Sequence, residues 1–512
     1  MILRARIPAS GAAPRLELEG EAFRAAPDLA CFYDRRGFAP AWSAGGALRP
    51  GVDELLAALA AAADDGLRPE DYRLAALQRF TAGVRGRPDP GGLADLDFLL
   101  TDAFLAFAGH LRNGKVNPRE IYRDCALKPD PADLATVLEE AVEKGSVRAT
   151  LAGLAPPHRS YRLLRDALGR YRRIAARGGP EPLAPGPNLR TGDQDERVAG
   201  LRTRLAEAAE ADGDAGAADL AAGAAADLFD DALAEAVRRF QARHGLEEDG
   251  VVGPATLGEL NQRAEDHVRQ IELNLERWRW LPRDLGRRHV LVNIAGFHLA
   301  AVEEDRTVLE MRVIVGKPYT RTPMFSSEMK TVVLNPYWNV PESIARNEIR
   351  PKAAKDPSYL ARGDYEVLSG GRIRQRPGPH NALGLIKFLF PNRFNVYLHD
   401  TPSRSLFSRT VRTFSHGCIR IEKPLDLAVW VLGPNPRWPR EEIEAGIAKG
   451  GERQVPVPQP VWVHVAYWTA WVDEGGVLRL GRDVYGRDAE LAGRLAGRAP
   501  AGQAGARPPA LS

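Results

Sequence analysis

Cysteine is nearly missing from this chain, with 3 in 512 residues. So few thiols exclude a disulfide-stapled scaffold and a cysteine-rich metal cluster. Each cysteine therefore needs its own explanation. Charge of one sign is also missing: 70 Lys and Arg face 67 Asp and Glu, a net charge of +3. The two signs are interspersed, which argues against a nucleic-acid-binding surface. No stretch approaches the ~18–20 continuous apolar residues of a membrane helix. Residues 1–14 carry Arg4 and Arg6 but lack the apolar core of about 7–15 residues of a secretion signal. Export is therefore not readable from the residues.

What is present is ordinary globular composition, 44% hydrophobic and 27% charged. At roughly 100–200 residues per domain, the length predicts several domains. Residues 20–178 read as a helical domain. Leu55, Leu56, Leu59 and Ala60 recur at helical spacing, and Leu96, Leu99, Leu100, Ala103, Phe104, Phe107 and Leu111 form a longer stripe. Such stripes predict core rather than a ligand site. Cys31 and Cys125 fall in helical-looking segments and are expected to be small buried residues. A disulfide between them is the alternative.

A Pro- and Gly-rich stretch from Gly178 to Gly192 reads as a linker. Residues 190–264 form a small helical module in which Leu233, Val237 and Phe240 share a face and Gly245 stops the helix. Ala208 to Ala226 is an Ala-, Asp- and Gly-rich insert. Residues 276–490 change period. His289 to Ile294, Phe297 to Val302, Val308 to Val315, Lys330 to Leu334 and Asn395 to His399 read as strands. A helical pattern over 341–376 interrupts them. The segment Trp462 to Tyr485 is expected to be a β segment packing aromatic residues at the domain's edge, with a sugar platform as the alternative. The expected class is α+β: a helical N-terminal domain, a three-helix module and a mainly β domain with a helical insertion.

The chemistry concentrates in Ser415-His416-Gly417-Cys418-Ile419-Arg420, preceded by His399. A thiolate is a strong nucleophile, and an imidazole with a pKa of ~6.5 can take its proton near neutral pH. Gly417 allows a sharp turn and close approach of the backbone to a ligand. A zinc site from His399, His416 and Cys418 is the competing reading, but no CxxC or HExxH completes it. A buried structural thiol is the plain alternative.

The spacing of His399 from Ser-His-Gly-Cys resembles the signature of the L,D-transpeptidases, cysteine enzymes that cross-link bacterial peptidoglycan. Pro377-Gly378-Pro379-His380-Asn381-Ala382-Leu383-Gly384, Lys387-Phe388, Pro391-Asn392 and Tyr397-Leu398-His399-Asp400-Thr401-Pro402 resemble the large, multidomain branch of that family. The resemblance runs from about Leu29 to about Arg487. It implies that residues 20–178 are a scaffold, that 190–264 are a peptidoglycan-binding-like domain and that 341–376 form a lid over the catalytic domain.

For the site, the resemblance implies Cys418 as nucleophile and His399 as base. Gly417 and Cys418 N–H would be the oxyanion donors, and His416 would hold the loop or contact substrate. Ser415, Arg420, Tyr397, Tyr337, Trp338 and Asn339 are the expected substrate contacts. Asp400 is a weaker candidate support for His399, and Arg404, Arg409 and Arg412 could join Arg420 in holding an anionic stem. The implied partners are peptidoglycan tetrapeptide stems, donor and acceptor, with no cofactor and no metal, and the implied location is the periplasm. The implied product is a 3→3 cross-link. An L,D-carboxypeptidase or other hydrolase using the same site, and a non-catalytic wall-binding scaffold, stand as alternatives. A papain-like protease fits less well, because there the cysteine precedes the histidine by over a hundred residues, whereas here His399 comes first and close.

Overall fold

Helix Pro90–Asn113 shows how the N-terminal region is built. The Asp89 carboxylate accepts from the N–H groups of Gly91 and Gly92, and proline opens the first turn. The stripe from Leu96 to Leu111 is buried, as its spacing predicts, but so are Asp97, Thr101 and Asp102 on other faces. The helix is enclosed on several sides because these polar groups find partners. Asp97 accepts from the Tyr33 hydroxyl at 2.7 Å and the Trp42 N–H at 2.8 Å, and Thr101 Oγ1 accepts from the Trp42 indole at 2.9 Å. The helices up to Leu154 close around this core.

The structure is a computed structural model and describes residues 3–4, 26–128, 130–179, 181–214 and 227–497. Most of the N-terminal segment searched for an export signal lies outside the described residues. So does the insert between 208 and 226 beyond its first residues. Among the described residues no helix is long and apolar enough to cross a membrane.

Helix Arg159–Ala176 turns Tyr161, Leu164, Leu168 and Tyr171 onto Ile271, Leu275 and Trp278 of helix Ala264–Trp278. This pair belongs to the core of the β region. Helices Arg197–Asp212, Asp231–Arg243 and Pro254–Leu260 enclose a separate small core in which Leu233, Val237 and Phe240 meet Leu201, Leu205 and Phe229.

The C-terminal half holds a nine-stranded mixed sheet. Its strands are β1 (Arg288–Asn293), β2 (His298–Glu303), β3 (Arg306–Gly316), β4 (Phe325–Leu334), β5 (Ile386–Leu389), β6 (Leu398–His399), β7 (Thr413–Ser415), β8 (Ile419–Ile421) and β9 (Arg453–Ala466). The order is β7-β3-β8-β6-β5-β4-β9-β1-β2, and pairing of β2 with β3 closes the circuit. The chain is thus α+β.

Four expectations need correcting. Of the strand read over Asn395 to His399 only Leu398–His399 forms, because the preceding residues turn back, with Asn392 Oδ1 accepting from Phe394 and Val396 N–H. The insertion is not purely helical. Its turns from Glu342 to Arg362 pack on a three-stranded sheet of Trp338–Asn339, Tyr365–Val367 and Ile373–Gln375, sharing a core of Ala345, Ile349 and Ile373. The segment from Trp462 to Tyr485 is not one β segment: the strand holding Trp462, between β4 and β1, ends at Ala466, and Ala470–Val472 pairs with Leu478–Leu480 as a separate two-stranded sheet. Its aromatic residues do pack: Tyr467 and Trp468 are buried, Trp468 stacked on Trp278 at 4.4 Å. That burial excludes both rings from a sugar platform. Finally, Cys31 is exposed, and Cys125, buried as expected, lies outside any helix, in an isolated bridge with Met324; both are free thiols.

Candidate active site

Three neighbouring strands set the site through register alone. Lys387 of β5 pairs with His399 of β6, and His399 pairs with Arg420 of β8. Residues directly opposite in a sheet share a face. The register therefore places two cations on either side of one imidazole. Cys418 stands just before β8.

The loop that presents Cys418 is pinned by its own side chains. Ser415 Oγ donates to the Cys418 carbonyl at 2.5 Å and accepts from Gly417 N–H at 3.0 Å. The Gly417 carbonyl accepts from Thr322 Oγ1 at 2.9 Å, and the Ser415 carbonyl accepts from Lys317 N–H at 3.0 Å. Gly417 has φ +114°, a region that side chains disfavour. Thus Ser415 holds the turn.

His399 is buried, and its Nδ1 donates to the Asp400 carbonyl at 2.5 Å. Burial, followed by the nearby Arg420 and Lys387, lowers its pKa to about 3 against the opposing hydrogen bonds to the Asp400 and Leu383 backbone. The ring is neutral. The Asp400 carboxylate does not serve it. That group accepts from Leu385 N–H at 2.9 Å and Arg404 at 3.1 Å. Gly384 makes this packing possible, since a Cβ there would lie 2.4 Å from Asp400.

Cys418 is half-buried, and its Sγ lies 3.9 Å from the Asn395 carbonyl. Burial raises the thiol pKa; the Tyr397 N–H and hydroxyl, Lys387 and Arg420 pull the other way. Both shifts favour the uncharged forms, a thiol beside a neutral imidazole. Burial also lowers the pKa of Lys387 and of Arg420, and the sulfur opposes it in each case. The Lys387 Nζ sits 3.9 Å from the centre of the Tyr397 ring. Cys418 and His399 line the same pocket, but no hydrogen bond described here joins them. Catalytic bonds are often long before substrate arrives.

The pocket has a volume of about 670 Å³ and takes in Cys418, His399, His416, Ser415, Arg420, Tyr397, Trp338 and Asn339. The insertion supplies Ile344, Glu348 and Tyr359 as one wall. Tyr337 is not among the lining residues; its ring lies under the Arg374 guanidinium at 4.1 Å. Arg412 is likewise elsewhere, bonded to the Val313, Arg409 and Phe297 carbonyls. Arg404 is held by Asp400 and the Glu422 carbonyl. Of the four candidate arginines, only Arg420 faces the pocket. The pocket also holds Lys387 and Glu348, which no motif in the sequence singles out for a role. A lone lysine between apolar neighbours in strand Ile386–Leu389 was the available signal for the first.

Residues 287–463 match the family model of the L,D-transpeptidase catalytic domain, which spans the whole of this pocket. The chain carries an L,D-transpeptidase domain. Residues 27–168 match a scaffold domain, and 195–260 match the "Putative peptidoglycan binding domain". A curated protein of Haemophilus influenzae, named "Putative L,D-transpeptidase", is 32% identical over 244 residues. The match covers 44% of this chain and 49% of that protein, so the chain spans about half the length of the relative it matches. An L,D-transpeptidase from Xylanimonas cellulosilytica is 18% identical over 56% of this chain and 100% of that one, at a TM-score of 0.19. One from Mycobacterium smegmatis is 16% identical over 35% of this chain and 58% of that one, at 0.20. Overlaps of that quality do not bear on the site. In the L,D-transpeptidase domain, the sheet register and the serine-pinned loop together present one thiol to one enclosed, cationic pocket.

Proposed function

We propose that this protein is a peptidoglycan L,D-transpeptidase forming 3→3 cross-links outside the cytoplasmic membrane, in the periplasm. The observation that carries the reading is the Cys418 thiol, open to a pocket of about 670 Å³ beside a neutral His399 whose Nδ1 is fixed to a backbone carbonyl. A neutral imidazole can take the thiol proton as sulfur attacks.

The donor is a tetrapeptide stem. Cys418 sulfur adds to the carbonyl at the L-centre of diaminopimelate while His399 accepts the thiol proton. The imidazolium then gives that proton to the departing D-Ala amine, and a thioester remains. The side-chain amine of a second diaminopimelate attacks the thioester, forms the new amide and returns the thiol. Gly417 N–H is already engaged by Ser415 Oγ, so the Cys418 N–H is the main candidate for the oxyanion. Lys387, Arg420 and the Tyr397 hydroxyl stabilise the thiolate and suit an anionic stem. Trp338, Asn339 and the insertion wall enclose the donor and exclude water.

The test is intact-protein mass spectrometry after incubation with a carbapenem, run beside a tetrapeptide-muropeptide assay with the wild type and Cys418→Ala. An adduct on the wild type alone, with loss of D-Ala and a new dimer, supports the reading. Loss of D-Ala without a dimer replaces it with an L,D-carboxypeptidase. No adduct and no turnover replaces it with a wall-binding scaffold.

A further inference from the structure

In a cavity separate from that of Cys418, five helices meet where the small helical module joins the rest of the chain. His244 follows helix Asp231–Arg243, Glu259 lies in helix Pro254–Leu260 and His267 lies in helix Ala264–Trp278. One ligand atom from each falls within 4.8 Å of the others. His244 and His267 are buried.

His244 is oriented from behind. Its Nε2 lies 3.2 Å from Asp212 Oδ2, and its Nδ1 lies 2.8 Å from Glu259 Oε1. Asp212 is itself held by Arg243 at 2.7 Å and the Tyr171 hydroxyl at 2.7 Å. A carboxylate that accepts from one imidazole nitrogen fixes the tautomer and turns the other nitrogen toward an ion.

The second observation is an orphaned atom. His267 Nδ1 is buried with no hydrogen-bond partner among the described residues, although the residue is only 6% exposed. A buried polar atom left unpaired is destabilising, so a partner there is favoured. Glu207 Oε2 is buried too and has no hydrogen-bond partner among the described residues. Both residues line one small cavity of about 50 Å³ with His244 and Glu259; Arg204 is the cation on its wall. That space holds an ion and about one water.

We propose that His244, Glu259 and His267 bind a zinc-class divalent cation that fastens the module to helix Ala264–Trp278. The donor set is two imidazoles and a carboxylate, a set that zinc takes at about 2.0–2.2 Å with one position left for water. The His244 Nδ1–Glu259 Oε1 pair, now at 2.8 Å, would open slightly and His267 would draw in toward it, both side-chain movements. The ion replaces the proton shared between His244 and Glu259 and gives His267 Nδ1 the partner it lacks. Two of the three ligands come from the module and the third from the helix that leads into the sheet. The ion thereby fixes how the module is presented.

The test uses the full chain carrying Cys418→Ala, because a thiolate is itself a zinc ligand. The protein is stripped with a chelator, loaded with zinc chloride, desalted and assayed for metal by mass spectrometry, with a chromophoric chelator as competitor. The expected result is about one retained equivalent and a raised melting temperature. Adding His267→Ala or Glu259→Gln should make retention roughly a hundredfold weaker and abolish the thermal shift. Circular dichroism confirms that each variant is folded. Should His267→Ala fail to fold, Glu259→Gln and the visible bands of the cobalt-loaded parent decide the matter. A folded parent that retains no zinc, or variants that retain as much as the parent, overturn the proposal.

Discussion

His416 Nε2 lies 2.6 Å from Glu348 Oε1, a contact that ties the loop carrying Cys418 to the insertion that walls its pocket. Both groups are partly exposed. Such a pair contributes about 0–1 kcal/mol, enough to bias a wall and too little to hold it shut. Glu348→Gln is expected to leave the melting temperature nearly unchanged and to speed alkylation of Cys418 several-fold. Parallel thermal melts and thiol-labelling rates check this, and equal rates would show that the contact does not gate access.

Lys387 is expected to govern thiol ionisation. A cation beside a thiol lowers its pKa, and burial of Cys418 works in the opposite direction. Lys387→Met removes the lowering influence, so the thiol pKa rises and the rate-against-pH curve moves to higher pH. Carbapenem acylation should slow at pH 7 and recover in alkaline buffer. Because His399 is neutral down to about pH 3, neither protein should show an inflection near 6.5. An inflection there would mean that a thiolate–imidazolium pair exists at rest.

Gly384 packs against Asp400, whose carbonyl holds His399. A Cβ at Gly384 would sit 2.4 Å from the Asp400 side chain, at a φ of +63°. Gly384→Ala should cost about 1–3 kcal/mol and lower acylation far more than stability alone explains. Gly370→Ala is the control, with φ +77° and nothing within 4 Å of the added atom. It should cost about 1 kcal/mol and leave acylation intact. Melting temperatures and acylation rates of the two variants separate strain from loss of the histidine's support.

Stability of the metal-free protein should be greatest near pH 6.5. Burial lowers the pKa of His464 and His267 to about 4 and of His399 to about 3. The unfolded chain takes up these protons near 6.5 while the folded chain resists, so the stability present above 6.5 is lost as the pH falls. The slope is about 1.4 kcal/mol per pH unit per group. His244 acts in the opposite sense. Burial pushes it down, but Asp212 and Glu259 outweigh that and raise it to about 9. Its contribution is complete below 6.5 and disappears as the pH rises through about 9. Denaturant titrations from pH 4 to 9 check both arms; stability flat across that range would contradict the prediction.

Periodicity announced the helices of residues 26–178 because an amphipathic stripe repeats locally. It understated how deeply helix Pro90–Asn113 is enclosed, since Asp97 and Thr101 look like surface residues until Tyr33 and Trp42 arrive to bond them. The insertion's three-stranded sheet escaped notice because its strands are only two or three residues long, below the length at which alternation can be seen. Tyr337 was misplaced for a similar reason. Its neighbours Trp338 and Asn339 line the pocket, while the Arg374 guanidinium, brought over by strand Ile373–Gln375, covers the Tyr337 ring.

By itself, the sequence determined the chemistry on offer: one cysteine behind a glycine turn, two histidines at a given spacing, and strands and helices whose periods are local properties of the chain. Only the tertiary structure decided which groups stand around that thiol. Strand register brought Lys387, His399 and Arg420 side by side, and folding carried Glu348 across to His416. Register and long-range packing depend on contacts between residues distant along the chain, which no local pattern encodes. The same holds for the burial that keeps His399 neutral, because desolvation belongs to the folded surroundings and not to the residue.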